Sequence, residues 1–142
     1  MEKIHTTSIA IFDLTQFPIV IITCTKEQPT AQDIIEYKSK KEEIFETFTT
    51  PFVVIGDISK VKWMDADARI AYGKNMKETA DKYSNLMIKT YAVVPNIIAN
   101  AILKGVNLIA KPKYEQVICK SFEQAYSKAL HEKDLIENLK SA

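Results

Sequence analysis

The chain has 142 residues, 46% hydrophobic and 26% charged, the make-up of a folded domain and not of a disordered or fibrous one. With 19 basic against 18 acidic side chains the net charge is +1, so there is no basic excess to displace counterions from phosphates, and nucleic acid is not an expected partner. No run approaches the roughly 18 apolar residues of a membrane span, and the opening MEKIHTTSIAIFD lacks the apolar core of a signal peptide, so neither stable membrane insertion nor export is expected.

The length fits one domain, 1–142. Ile4 to Phe12 reads as a first strand and Phe17 to Thr25 as a second, with Leu14-Thr15-Gln16 turning between them. The β-branched run Ile19 to Ile22 suits a central strand. Thr30-Ala31-Gln32-Asp33, after Pro29, has the form of a capping box. The helix it opens carries an inward stripe of Ile34, Tyr37, Ile44, Phe45 and Phe48, with Lys41 as its one outlier.

Phe52 to Ile55 is the third expected strand, running into an acidic turn at Asp57. Asp65 opens a second helix with Ala68, Tyr72, Met76, Ala80 and Tyr83 inward. Ile88 to Val94 is a fourth strand ended by Pro95, and a third helix runs from Ile97 to about Ala110, stopped by Lys111-Pro112. Val117 to Cys119 is a short fifth strand. Ser121-Phe122-Glu123-Gln124 reads as a full capping box opening the last helix, with Phe122, Ala125, Tyr126, Ala129 and Leu130 inward. The expected order is β-β-α-β-α-β-α-β-α, an α/β fold with a mixed five-stranded sheet and four helices: an antiparallel hairpin, then parallel strands joined by right-handed crossovers.

The third helix is apolar on most sides and so demands cover on most sides. One stripe is Ile98, Ala101, Ile102, Gly105 and Ile109, and Ile97, Leu103, Val106 and Ala110 extend around it. Three covers are open: the core, a second copy or protein partner, or a nonpolar ligand. Trp63, Ile98, Ile102, Leu103, Val106 and Ile109 are the residues expected at such a ligand pocket or dimer face, and Gly105 would admit another backbone. Asp57, Asp65 and Asp67 gather near a strand end, but Lys60, Lys62 and Arg69 lie close enough to neutralise them. No nucleophile motif or phosphate-binding loop is present, so neither metal, cofactor nor catalysis is expected. Cys24 and Cys119 sit in apolar runs, as reduced thiols of a cytoplasmic protein would. Their separation in space is not fixed by the sequence.

The words VVIGDISKVKWMDADAR resemble the STAS domain, in its SpoIIAA-like branch: a strand ending in Asp57-Ile58-Ser59, an apolar touch at Val61 and Trp63-Met64, then Asp65. The tail KPKYEQVICKSFEQAYSKAL is similar to the close of SpoIIAA-like members. The resemblance implies a small non-enzymatic binding or regulatory module, like an anti-sigma factor antagonist, docking a partner through Asp57, Ser59, Asp65, Ala66, Asp67 and Arg69. The family's phosphorylated serine would fall at Ala66, which has no hydroxyl, and the Gly-Leu-Gly helix start is replaced by Ala68-Arg69-Ile70. The phospho-switch therefore does not carry over. Asp67 either imitates the phosphorylated state or complements the helix dipole. SpoIIAA-like domains are also similar in architecture to CRAL-TRIO lipid carriers, which implies the alternative of a nonpolar-ligand carrier with the third helix as lid and Trp63, Tyr91 and Phe52 as floor.

Overall fold

Thr7 divides the first expected strand in two. In the computed structural model, which describes residues 2–141 and side chains as far as 138, β1 (Ile4–Thr6) and β2 (Ala10–Asp13) pair antiparallel across a tight turn. The Thr7 N–H donates to the Ala10 carbonyl at 2.9 Å, and the Thr7 hydroxyl accepts from the N–H groups of Ile9 and Ala10 at 3.3 and 3.1 Å. A hydroxyl bonding its own backbone competes with a strand ladder, so the segment folds back. The sheet has six strands, which corrects the expected five. Asp13 makes the next turn by accepting from the N–H and hydroxyl of Thr15.

The chain continues as β3 (Ile19–Cys24), α1 (Ala31–Phe45), β4 (Phe52–Asp57), α2 (Ala66–Lys82), β5 (Met87–Val93), α3 (Ile97–Ala110), β6 (Glu115–Cys119) and α4 (Phe122–Ser141). Strand order in the sheet follows chain order, antiparallel from β1 to β3 and parallel from β3 to β6. Three successive right-handed crossovers in one direction put α1, α2 and α3 on one face. After β6 the chain turns back and α4 crosses the other.

Strict alternation divides the core. Phe12, Val20, Ile22, Phe52 and Val54 face Ile34, Tyr37, Ile44, Phe45 and Val106 of the three helices. Ile19, Ile21, Val53, Ile55, Tyr91 and Val93 face Ala125, Ala129 and Ile136 of α4. Cys24 packs on the first side and Cys119 on the second, both free thiols, so the sheet stands between them.

Each of the four helix starts carries a side-chain cap. Thr30 makes the expected capping box with Asp33. Asp65 Oδ1 accepts from the Ala68 N–H at 2.8 Å, and Asn96 Oδ1 from the Ala99 N–H at 2.8 Å. The box at α4 is only half made: Ser121 Oγ accepts from the Gln124 N–H, but Gln124 Oε1 reaches back to the Lys120 N–H. Two expected stripes also shift. Phe48 lies beyond the end of α1, and Lys41, the supposed outlier, is buried among its stripe. In α3 the buried face is Ala99, Leu103, Val106 and Ala110, while Ile98 and Ala101 are exposed.

Candidate functional site

Small residues meet where large ones would be needed to fill the space under the helices. The register aligns Phe12, Ile22, Gly56, Ala92 and Ile118 across the helix-side face of the sheet. A Cβ on Gly56 would meet no atom within 4 Å. Above it, stacked rings hold α1 and α2 away from the sheet: Phe12 on Tyr37 at 5.4 Å between centroids, and Tyr37 on Tyr72 at 5.9 Å. The result is a cavity of about 110 Å³ between the sheet and the three helices, room for roughly eight waters. Ile22, Val54, Gly56 and Ala92 floor it; Tyr37, Tyr72 and Met76 form a wall; Ile102, Leu103 and Val106 of α3 roof it.

The polar groups on this cavity are mostly uncharged. Burial raises the hydroxyls of Tyr37 and Tyr72 above the usual phenol range, pushes Tyr114 up to about 12, and raises the Cys24 thiol. None is an ionised nucleophile at neutral pH. Among the described residues Thr90 Oγ1 is buried without a hydrogen-bond partner. The exception is Lys41, only 6% exposed, whose amine burial lowers from its ordinary 10.5 to about 7.

The acidic corner lies at one end of this cavity. Asp57 borders it and turns the strand end by accepting from the Ser59 N–H at 2.9 Å. Val61 and Met64 point inward and pin the loop, while the N–H groups of Lys62 and Trp63 both donate to the Glu27 carbonyl. Asp65 is occupied as the α2 cap, Ala66 and Asp67 are exposed, and Arg69 runs its stem past Gly105. Asp57 and Asp65 thus serve separate local tasks, and Asp67 stands in the first turn of α2. Among the described residues no three His, Cys, Asp or Glu side chains are placed to share a metal.

Of the expected pocket residues, Ile102, Leu103 and Val106 line the cavity. Trp63 does not: it is 58% exposed on the loop. Phe52 is core, and the Tyr91 ring belongs to the α4 side, although its strand borders the space. Ile109 meets α2 instead, and the close backbone approach expected at Gly105 occurs at Gly73, where a Cβ would fall 2.7 Å from Ile109 Cβ. Leu103→Asp would therefore strike the core, not an interface. The outer face of α3 carries Ile97 and Leu108, 86% and 77% exposed, with Ile98 beside them. Sequence reasoning did not place Lys41, Thr90, Tyr114 or Gly56 at a site. The one available signal was Lys41 interrupting an otherwise apolar stripe.

The fold is SpoIIAA-like, as the resemblance implied, with the extra strand as the correction. No family of sequences matches the chain, and no curated protein matches it. Among solved structures it is similar to an uncharacterized protein from the DUF3478 family with a SpoIIAA-like fold from Shewanella loihica PV-4, at 11% identity and a TM-score of 0.56, over 89% of this chain and 90% of that one. It is also similar to part of the overall structure of SLC26A9, at 20% identity and a TM-score of 0.48, over 83% of this chain and 20% of that one. Among the described residues no helix is long and apolar enough to cross a membrane.

Proposed function

We propose that the chain is a non-enzymatic binding module that holds a small nonpolar ligand between its sheet and α3. The cavity over Gly56 supports this reading most directly: its lining is largely apolar and its roof is a single helix. Such a space, with few polar groups, is the usual form of a small-molecule site. Neutral phenols and a neutral thiol, with no base held against a nucleophile, fit binding better than turnover. The free thiols fit a reducing, cytoplasmic setting. Native mass spectrometry of protein purified from cells tests the reading. A co-purifying mass of lipid-like size is expected, and repeated absence of one, with no uptake of added apolar probes, would end it.

A second reading rests on a different surface. Ile97, Ile98 and Leu108 leave the outer face of α3 uncovered, and a second copy or a protein partner would bury it. The loop from Asp57 to Arg69, lacking a hydroxyl at Ala66, would then be a constitutive docking edge with no phospho-switch. Leu108→Asp should convert a dimer to a monomer in sedimentation without loss of fold. A wild-type chain that sediments as a monomer at high concentration would remove the self-association.

A further inference from the structure

Lys41 is a buried cation with no ion partner. Lys38 reaches Glu78 at 2.7 Å and Lys40 reaches Glu43 at 3.3 Å, but among the described residues no carboxylate lies within 4 Å of the Lys41 ammonium. Its one recorded contact of this kind is the Tyr37 ring, 5.2 Å to the centroid. From its own helix, Lys38 opposes its charge and Glu42 favours it; from α2, Glu78 favours it; none replaces the water lost on burial. An unpaired ammonium in apolar surroundings is costly. Replacing it by an apolar side chain would remove that cost, yet the chain places the amine on the wall of the cavity.

We propose that Lys41 anchors the anionic head of an amphipathic ligand, a carboxylate on a short apolar chain whose tail fills the cavity. This rests on the cavity being a ligand site. Three features select that chemistry. Among the described residues Lys41 is the sole basic residue lining the space, so a singly charged head is matched, whereas a phosphate would bring a second charge with no counterpart. The remaining wall is apolar enough for an acyl tail. The charges also give a direction: Lys41 stands one turn before the end of α1, toward the side where β4 begins, while Asp57 stands where β4 finishes. An acid is drawn to the first end and repelled from the second.

Binding in this manner couples to a proton. The amine is largely neutral above its lowered value of about 7, and a carboxylate beside it favours the charged form, so complex formation at pH 8 draws a proton from the buffer. At pH 6 it draws almost none.

The test is calorimetric titration of the full chain with hexanoate and with hexanol, for wild type and for Lys41→Met, an unbranched swap one atom shorter. Wild type should bind hexanoate about ten- to a hundredfold more tightly than hexanol, the worth of a hydrogen bond to a charged group. Lys41→Met should lose that preference while keeping its affinity for hexanol. Enthalpies in buffers of different ionisation heat should show uptake of most of a proton at pH 8 for wild type, a signature that needs no variant. Equal binding of acid and alcohol by wild type, or a preference that survives in Lys41→Met, overturns the anchor and leaves the cavity reading standing. Failure of both probes to bind overturns the cavity reading itself, and the anchor with it.

Discussion

The same substitution at two glycines should move stability in opposite directions. Neither Gly56 nor Gly73 has a positive φ, so alanine is unstrained by backbone at both. At Gly56 the new methyl meets nothing within 4 Å, so the gain comes mainly from the reduced freedom of the unfolded chain, about 0.4–1 kcal/mol. For a chain of this size that raises Tm by about 1–4 °C. At Gly73 alanine gains about 1 kcal/mol of helix propensity, but its Cβ falls 2.7 Å from both Cβ and Cγ2 of Ile109 and 3.0 Å from the Val106 carbonyl oxygen. A Cβ cannot swing away as a side-chain tip does, so α3 must be pushed off α2. Overpacking of that kind costs about 3 kcal/mol, for a net loss of about 2 kcal/mol and a fall in Tm of about 4–8 °C. Thermal unfolding followed by circular dichroism, checked against urea midpoints, measures both. In protein stripped of bound small molecules, a destabilised Gly56→Ala would mean the chain itself already fills the space over the sheet, and the ligand reading would lose its basis.

Three further outcomes follow from particular residues. Folded Lys41 loses its proton near 7 and unfolded Lys41 near 10.5, so unfolding takes up a proton between those values. Stability then rises with pH by up to about 1.4 kcal/mol per unit and is flat below 7. Urea midpoints of wild type minus those of Lys41→Met should show this slope from pH 7 to 9, the thiols common to both chains cancelling; parallel curves would refute it. Asp65→Ala removes the cap bond to the Ala68 N–H and should cost about 1 kcal/mol, with Asp65→Asn recovering most of it; an unchanged urea midpoint would show the cap to be idle. Gly56→Val, which builds into the cavity, should weaken hexanoate binding at least tenfold while the fold stays intact by circular dichroism, and undiminished binding would place the probe elsewhere.

Features written locally were legible in the sequence. The strands β3 and β4 announce themselves as β-branched runs, and the caps at Thr30 and Asp65 sit where short polar side chains precede apolar periodicity. The break at Thr7 was missed because a threonine suits a strand until its hydroxyl finds a nearer backbone partner. The rotation of α3 was missed because a helix apolar on most sides has no preferred face of its own. Its orientation is chosen by Gly73 on α2 and by Ala92 and Val94 on the sheet, which Ala99 and Leu103 meet. Trp63 was misplaced for a related reason. Val61 and Met64 take the inward positions of the loop, leaving the larger ring outside. A cavity is harder still to read, because it is a misfit between elements each of which is locally regular.

The two faces of the sheet show why that misfit persists. On one face Ala125 and Ala129, both fully buried, let α4 lie close. On the other, stacked tyrosines prop the helices up while Gly56 and Ala92 give nothing back from below. An unfilled space of this kind forfeits packing contacts along its walls. One larger residue at position 56 would recover much of that. The unpaired amine of Lys41 is a second loss, on the wall of the same space, and again a single substitution would remove it. An apolar ligand relieves only the void, and an anion alone only the amine. An amphipathic acid relieves both together. On that argument hexanoate at a hundred times its dissociation constant should stabilise wild type by about 2.7 kcal/mol, and the same concentration of hexanol by measurably less.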